Sequence, residues 1–258
     1  MRKRTRQRAA NQQGRPEPYN RAMRFGAILF DFDGLIIDSE TPLFEIWQEI
    51  YRDHAGQLTL DLWQHALGTQ HGFDPYADLR AQTGVTLDRD TWMPRVREEH
   101  WRRCEGQPVL PGIVERLDDA ARLGLPAAVA SSSSDTWVSP WLERHGLRGR
   151  FQAVCTRDDV TAVKPAPDLF LLAARRLGVE PSRCVVFEDS PNGLLAAKAA
   201  SMWAVAVPNA LTCSLTLPAP DLVLTSLAGI TLEAIDRRLG ETGRGLADAS
   251  EGARNAVP

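Results

Sequence analysis

Short, uninterrupted apolar runs recur along the chain, and helical patterns separate most of the later ones. The runs fall at 27–30, 126–130, 151–155, 184–187, 204–207 and 222–224. A strand without polar alternation is buried on both faces, which is the habit of parallel sheets covered by helices. The intervening segments carry helix punctuation in the right order. "PGIVERLDDAARLG" sets Ile113, Leu117, Ala120 and Ala121 on one face and stops at Gly124. "PAPDLFLLAARRLG" opens on prolines, repeats apolar residues at Leu169, Leu172, Ala173 and Leu177, and ends at Gly178. Proline at the start and glycine at the stop mark helix boundaries. The expected fold is therefore α/β, with a parallel sheet.

One stretch breaks the alternation. From about residue 40 to residue 104 no strand is legible, only helical texture such as "PLFEIWQEIYRDHAG" and "TWMPRVREEHWRRC". A segment of that length is too long for a loop. It reads as a helical unit inserted after the first strand, with junctions near 38–41 and 105–110. Trp47, Trp63, Trp92, Trp101 and Tyr51 read as packing residues of that bundle. Arg97, Arg102 and Arg103 near the return linker suit a solvated helix face or a second anionic group equally well. We divide the chain into a core of 24–39 and 106–236, a helical cap of 40–105, and tails at 1–23 and 237–258. The first 22 residues carry seven Arg or Lys and one Glu without an apolar stretch. They read as a disordered extension, or as an over-extended start with Met23 as the initiator.

Net charge is −3 over 258 residues, which gives no overall attraction to nucleic acid or membrane. No apolar run approaches the roughly 20 residues a membrane helix requires. The cysteines, Cys104, Cys155, Cys184 and Cys213, are scattered without a CxxC pair. That pattern suits a reduced, cytoplasmic protein rather than a disulfide scaffold or zinc site.

The chemistry-bearing residues gather where strands end. "ILFDFDGLIIDSE" closes the first apolar run with Asp31 and Asp33, followed by Gly34. Strand periodicity points both acids to one side. Two close carboxylates need a bound cation or a shared proton, unless Asp33-Gly34 is turn chemistry alone. The second run ends in "AVASSSSD", with Ser131 at the tip and Ser132 and Ser133 behind it. Backbone N–H groups after such a tip suit an anion. In "VKPAPDLF", Lys164 precedes a proline and is biased toward an extended backbone, so it offers a fixed positive charge. "CVVFEDSPNG" ends another buried run in Glu188 and Asp189 before a helix opening at Ser190-Pro191. Two acids at a second strand tip strengthen the cation reading.

These four patches, in this order, resemble the haloacid dehalogenase superfamily of phosphotransferases: DxDGxxxDSE, a strand-end serine, Lys-Pro and EDSxxG. The resemblance spans about 24–235. The inserted helices resemble the cap of the subfamily IA branch that holds phosphoglycolate phosphatase-like and β-phosphoglucomutase-like enzymes. It implies a Rossmann-like core with the first and fourth strands adjacent, bringing Asp31, Asp33, Glu188 and Asp189 together. It further implies Mg²⁺ held by Asp31, the Asp33 carbonyl and Asp189, with Glu188 in contact or just behind. Asp31 is then the nucleophile, Asp33 the acid and base, and Lys164 the charge-neutralising residue. Gly34, Ser131, Ser132, Ser133, His71 and Asn192 are the expected phosphate or substrate contacts.

The resemblance also separates hydrolysis from isomerisation. Similar mutases carry a histidine five residues after the aspartate that closes the first motif, where this chain has Leu43. Their cap arginine has no evident counterpart in "LGTQHGFDPY", in which His71 is the nearest polar candidate. We expect a phosphatase for a small phosphate ester, acting as a monomer, rather than a mutase or an inactive binding module.

Overall fold

A computed structural model describes residues 23–67 and 72–242. Six strands run parallel in the order β3-β2-β1-β4-β5-β6. They are β1 (Ala27–Phe30), β2 (Ala127–Ala130), β3 (Ala153–Cys155), β4 (Cys184–Glu188), β5 (Trp203–Ala206) and β6 (Leu222–Val223). The first strand lies between β2 and β4, with Ile28 opposite both Ala127 and Val185. The expected run at 151–155 is shorter than read, because Phe151 closes a 3₁₀ turn at Arg148–Arg150 before pairing begins.

Successive side chains on each strand enter opposite layers. Ile28, Phe30, Val185, Phe187 and Val205 pack with helices α5 (Ile113–Leu123), α6 (Asp135–Arg144) and α9 (Leu232–Glu241). Leu29, Ala128, Val186 and Ala204 pack with α7 (Asp168–Leu177) and α8 (Pro191–Ala199) on the other face. The small strand residues of this second face admit α7 and α8 closely. The α5 and α7 faces match their sequence periodicity.

Helices α1 (Glu40–Asp53), α2 (Leu60–Trp63), α3 (Pro75–Thr83) and α4 (Arg89–Cys104) lie between β1 and α5 in the chain. They enclose their own apolar cluster around Trp47, Tyr51, Trp63, Tyr76 and Leu79. Trp92 packs at the margin of that cluster, whereas Trp101 packs on the sheet-side core. The two linkers that join this unit to the sheet run beside each other: Ile37 bridges Val109, and the Leu110 amide donates to the Ile36 carbonyl at 2.8 Å.

The C-terminal boundary needs correction. Residues 237–241 continue α9 rather than starting a tail. Leu232, Ile235 and Leu239 recur at helical spacing and are fully buried, so the helix must extend to seat Leu239. Residues 1–22 and 243–258, which hold nearly all of the expected tails, lie outside the described residues.

Candidate active site

A parallel sheet delivers all its carboxyl ends to one edge, and the residues after β1, β2 and β4 meet there. Asp31 follows β1, and its amide donates to the Phe187 carbonyl of β4 at 3.0 Å. Ser131 follows β2, and its amide donates to the Cys155 carbonyl at 2.9 Å. Glu188 ends β4 and Asp189 follows it. The adjacency of β1 and β4 makes the acidic cluster. Asp31, Glu188 and Asp189 each offer a carboxylate oxygen, and these atoms lie within 4.8 Å of one another.

Lys164 is the counter-charge. Its ammonium is fully buried and donates to Asp31 Oδ1 and, at 2.7 Å, to Glu188 Oε1. It also sits 4.8 Å from the centroid of Phe170, which gives it a cation–π contact. Lys164 lies in a turn between the 3₁₀ helix Arg157–Asp159 and α7, and its peptide bond to Pro165 is cis. Burial would lower its pKa, but Asp31 and Glu188 outweigh burial and lift it above the ordinary lysine value.

The acids remain crowded despite that lysine. Burial first, then the Glu188 and Asp33 charges, push Asp31 up to about 8 against the pull of Lys164. Burial and the charges of Glu188 and Asp31 raise Asp189 well above the usual carboxylate range. Asp189 Oδ1 is buried without a hydrogen-bond partner, while Oδ2 accepts from Asn209 Nδ2 at 2.8 Å. An orphaned buried carboxylate oxygen beside two more carboxylates is the donor set of a hard divalent cation. The residues fit such an ion. Glu188 is the most committed of the three: its Oε2 accepts from the Ser190 amide at 2.8 Å and hydroxyl at 3.0 Å. It therefore braces the mouth of α8 as well as facing Lys164.

Asp33 stands apart from this cluster. Its Oδ2 accepts from Ser133 Oγ at 2.6 Å and Ser131 Oγ at 3.2 Å, and its Oδ1 from Ser39 Oγ at 2.7 Å and Trp137 Nε1 at 2.8 Å. The side chain thus faces the serine row, although its charge still acts on Asp31. Gly34 adopts φ +78°, and a Cβ there would lie 2.5 Å from Asp189 Oδ2 and 2.7 Å from Asn209 Nδ2. Glycine is required for both the left-handed turn and the close approach.

Asn192 does not face the serines. Its Nδ2 donates to the Leu67 carbonyl at 2.8 Å, tying α8 to the inserted helices. His71 lies outside the described residues. Ser132 is half-buried beside Ser131.

Sequence reasoning missed several residues around the opening. A cavity of about 360 Å³ lies between the sheet edge and the inserted helices, lined by Asp33, Glu40, Arg97, His100, Trp137 and Arg157 among others. It adjoins a second cavity of about 570 Å³ within those helices through Leu43, Arg97 and His100. Glu40 is the first residue of α1, and burial together with Asp33 and Asp31 holds its carboxyl well above the usual range. Arg102 and Arg103 turn to Glu99 and Glu49 instead. Ser39 was visible in the first motif, but no spacing rule announces Trp137, His100 or Asn209.

The family model for haloacid dehalogenase-like hydrolases matches residues 25–201. That span takes in β1, the inserted helices and the acids after β4. The chain belongs to the haloacid dehalogenase-like hydrolases. Within that family it is a phosphoric monoester hydrolase. It is 44% identical to "Putative phosphatase YhcW" of Bacillus subtilis, over 80% of this chain and 94% of that protein. It is 33% identical to fructose-1-phosphate phosphatase YqaB of Escherichia coli, over 71% of this chain and 97% of that protein. Among solved structures, CbbY from Rhodobacter sphaeroides in complex with phosphate superposes with a TM-score of 0.67 at 28% identity. That alignment covers 82% of this chain and 99% of CbbY.

Proposed function

We propose that this hydrolase cleaves a small sugar phosphate or similar metabolite with Mg²⁺ through an aspartyl-phosphate on Asp31. The observation that carries the reading is the division of labour between two acids two residues apart. Asp31 lies among acids and against Lys164, whereas Asp33 lies on the serine row at the cavity wall. In this reading Asp31, held ionised by Lys164 and a bound cation, attacks, and Asp33 exchanges a proton with the leaving group.

In the first step the Asp31 carboxylate attacks phosphorus, and the bond from phosphorus to the ester oxygen breaks. Asp33 gives that oxygen a proton as it leaves. In the second step a water attacks the aspartyl-phosphate, Asp33 takes the water's proton, and inorganic phosphate departs with Asp31 restored. Ser131, Ser133 and the amides after β2 hold the phosphoryl oxygens, and Lys164 offsets their charge. Asp31, the Asp33 carbonyl and Asp189 would hold the cation, with Glu188 behind them. When bound, Mg²⁺ supplies charge neutralisation for the transferring phosphoryl group.

The sugar-phosphate class follows from the relatives' names together with the cavity. Polar groups at Glu40, Arg97 and His100 face the space where a leaving group would lie, and a polyol needs such partners. Leu43 sits in that wall where similar mutases carry a histidine, which supports hydrolysis over isomerisation. The test is Mg²⁺-dependent phosphate release from a panel of sugar and polyol phosphates, with Asp31→Asn beside the wild type. We expect release that needs the cation and falls at least about 10³-fold in the variant. Release that persists in Asp31→Asn would remove the nucleophile assignment. Interconversion of hexose phosphates without net release would convert the reading to a mutase.

A further inference from the structure

Four side-chain donors hold Asp33, and they are not equivalent. Ser131, Ser133 and Ser39 carry hydroxyls, which rotate and can turn to a phosphate or a water. Trp137 carries an indole N–H, which only donates and cannot rotate independently of its ring. That ring is locked. It packs edge-on against Trp101 at 5.6 Å and lies stacked on His100 at 4.4 Å and 19°. Trp137 belongs to core helix α6, whereas His100 belongs to α4 of the inserted unit.

His100 makes a second contact with the same acid's surroundings. Its Nε2 lies 2.7 Å from the Ser39 carbonyl, and Ser39 is the linker residue whose hydroxyl donates to Asp33 Oδ1. Both donors to Oδ1 therefore lead back to one cap residue: Trp137 through a stacked ring, Ser39 through its backbone.

We propose that Trp137 and His100 are positioning residues that set the rotamer of Asp33, so that the seating of the inserted helices on the core determines whether the acid faces the leaving oxygen. The inference rests on the phosphatase reading for its kinetic consequence, and on geometry alone for the placement of Asp33. Loss of the indole N–H frees Oδ1 on one side without disturbing Asp31, Lys164 or the acidic cluster. The defect must then fall on proton delivery and spare phosphate binding.

The variant is Trp137→Phe, which keeps an aromatic ring under His100 and removes the donor. Its kcat/KM is measured on the best sugar phosphate and on p-nitrophenyl phosphate, whose phenolate departs without a proton. This parameter spans binding through formation of the aspartyl-phosphate, so the later role of Asp33 as base does not enter. We expect about a tenfold or larger fall on the sugar phosphate and less than about threefold on p-nitrophenyl phosphate. Competitive inhibition by inorganic phosphate should be unchanged. His100→Ala should give the same selective loss, and His100→Phe, which can stack, should recover part of it. An equal fall on both esters, or none on either, overturns the proposal. Crystal structures of wild type and Trp137→Phe give a readout without turnover. Asp33 displaced in the variant supports the proposal, and Asp33 unmoved overturns it. A wild type that cleaves no ester removes the phosphatase reading, and the crystal structures alone then decide the placement.

Discussion

Lys164 carries more of the site's electrostatics than its place in a loop suggests. It is buried between Asp31 and Glu188, and removing it leaves two carboxylates in a low-dielectric pocket without their cation. Breaking a buried pair from one side typically costs about 3–5 kcal/mol, because the remaining charge is uncompensated. Lys164→Met keeps most of the volume, so packing loss is small and charge dominates. We expect destabilisation of about that size in urea unfolding near neutral pH without added metal. Adding Glu188→Gln to Lys164→Met should restore part of the loss, since one stranded charge is gone. A Lys164→Met protein as stable as wild type would mean that the acids are already protonated and the pair contributes nothing.

At the scale of elements, the contact between β4 and α8 is unusually tight. A Cβ built on Gly193 would lie 1.6 Å from Glu188 Oε1, so the helix can approach the strand end only because this residue is glycine. Gly193→Ala must push α8 away or rotate Glu188 off Lys164. We expect about 1–3 kcal/mol of destabilisation from overpacking, read as a lower urea midpoint, together with a weaker Mg²⁺ response. An unchanged midpoint would show that α8 yields freely. This glycine stood in the sequence as the last letter of EDSxxG, and its neighbours Asp31, Asp33, Lys164 and Asp189 were legible for a related reason. Each follows an apolar strand or precedes a helix with clear start signals, and strand ends converge by the logic of a parallel sheet. Ser131 was legible in the same way. His100 and Trp137 were not, because their pairing depends on how the inserted helices sit on the core. Periodicity places a residue on a face of its own helix but does not say what another element brings to that face. Asn192 shows the converse: its motif position suggested substrate, and its side chain donates to the Leu67 carbonyl of the inserted unit, a link that no spacing rule announces. The end of α9 was set too early because the stretch from Gly240 on is small, polar and glycine-rich, although buried Leu239 decides how far the helix runs.

At the scale of the whole molecule, the fold gathers more negative charge at one sheet edge than Lys164 can neutralise, and this sets a pH dependence. Asp31 is raised to about 8 from an ordinary value of 3.8, and Asp189 is raised well above the same ordinary value, burial being the largest cause for both. Between those limits the folded chain holds protons that the unfolded chain has released. Stability without metal therefore falls as pH rises from about 4 to about 8 as far as this cluster contributes. Lys164 has the opposite role: its pKa lies above the ordinary 10.5, so its contribution is fully present across that window and is lost only at higher pH. A divalent cation competes with the cluster's protons, since it binds the ionised carboxylates. Its stabilisation should therefore grow with pH, following the fraction of sites free to bind it. The measurement is the melting temperature with EDTA or with millimolar Mg²⁺, at about pH 5.5 and about pH 8. With EDTA we expect Asp31→Asn to lose less stability than wild type on going to the higher pH, because one crowded carboxylate is gone. With Mg²⁺ we expect the upward shift in the wild type to be larger at the higher pH and much reduced in Asp31→Asn. A shift of equal size at both pH values, or one unaffected by Asp31→Asn, would place the ion away from this cluster and leave the strand-end acids without the role their geometry supports.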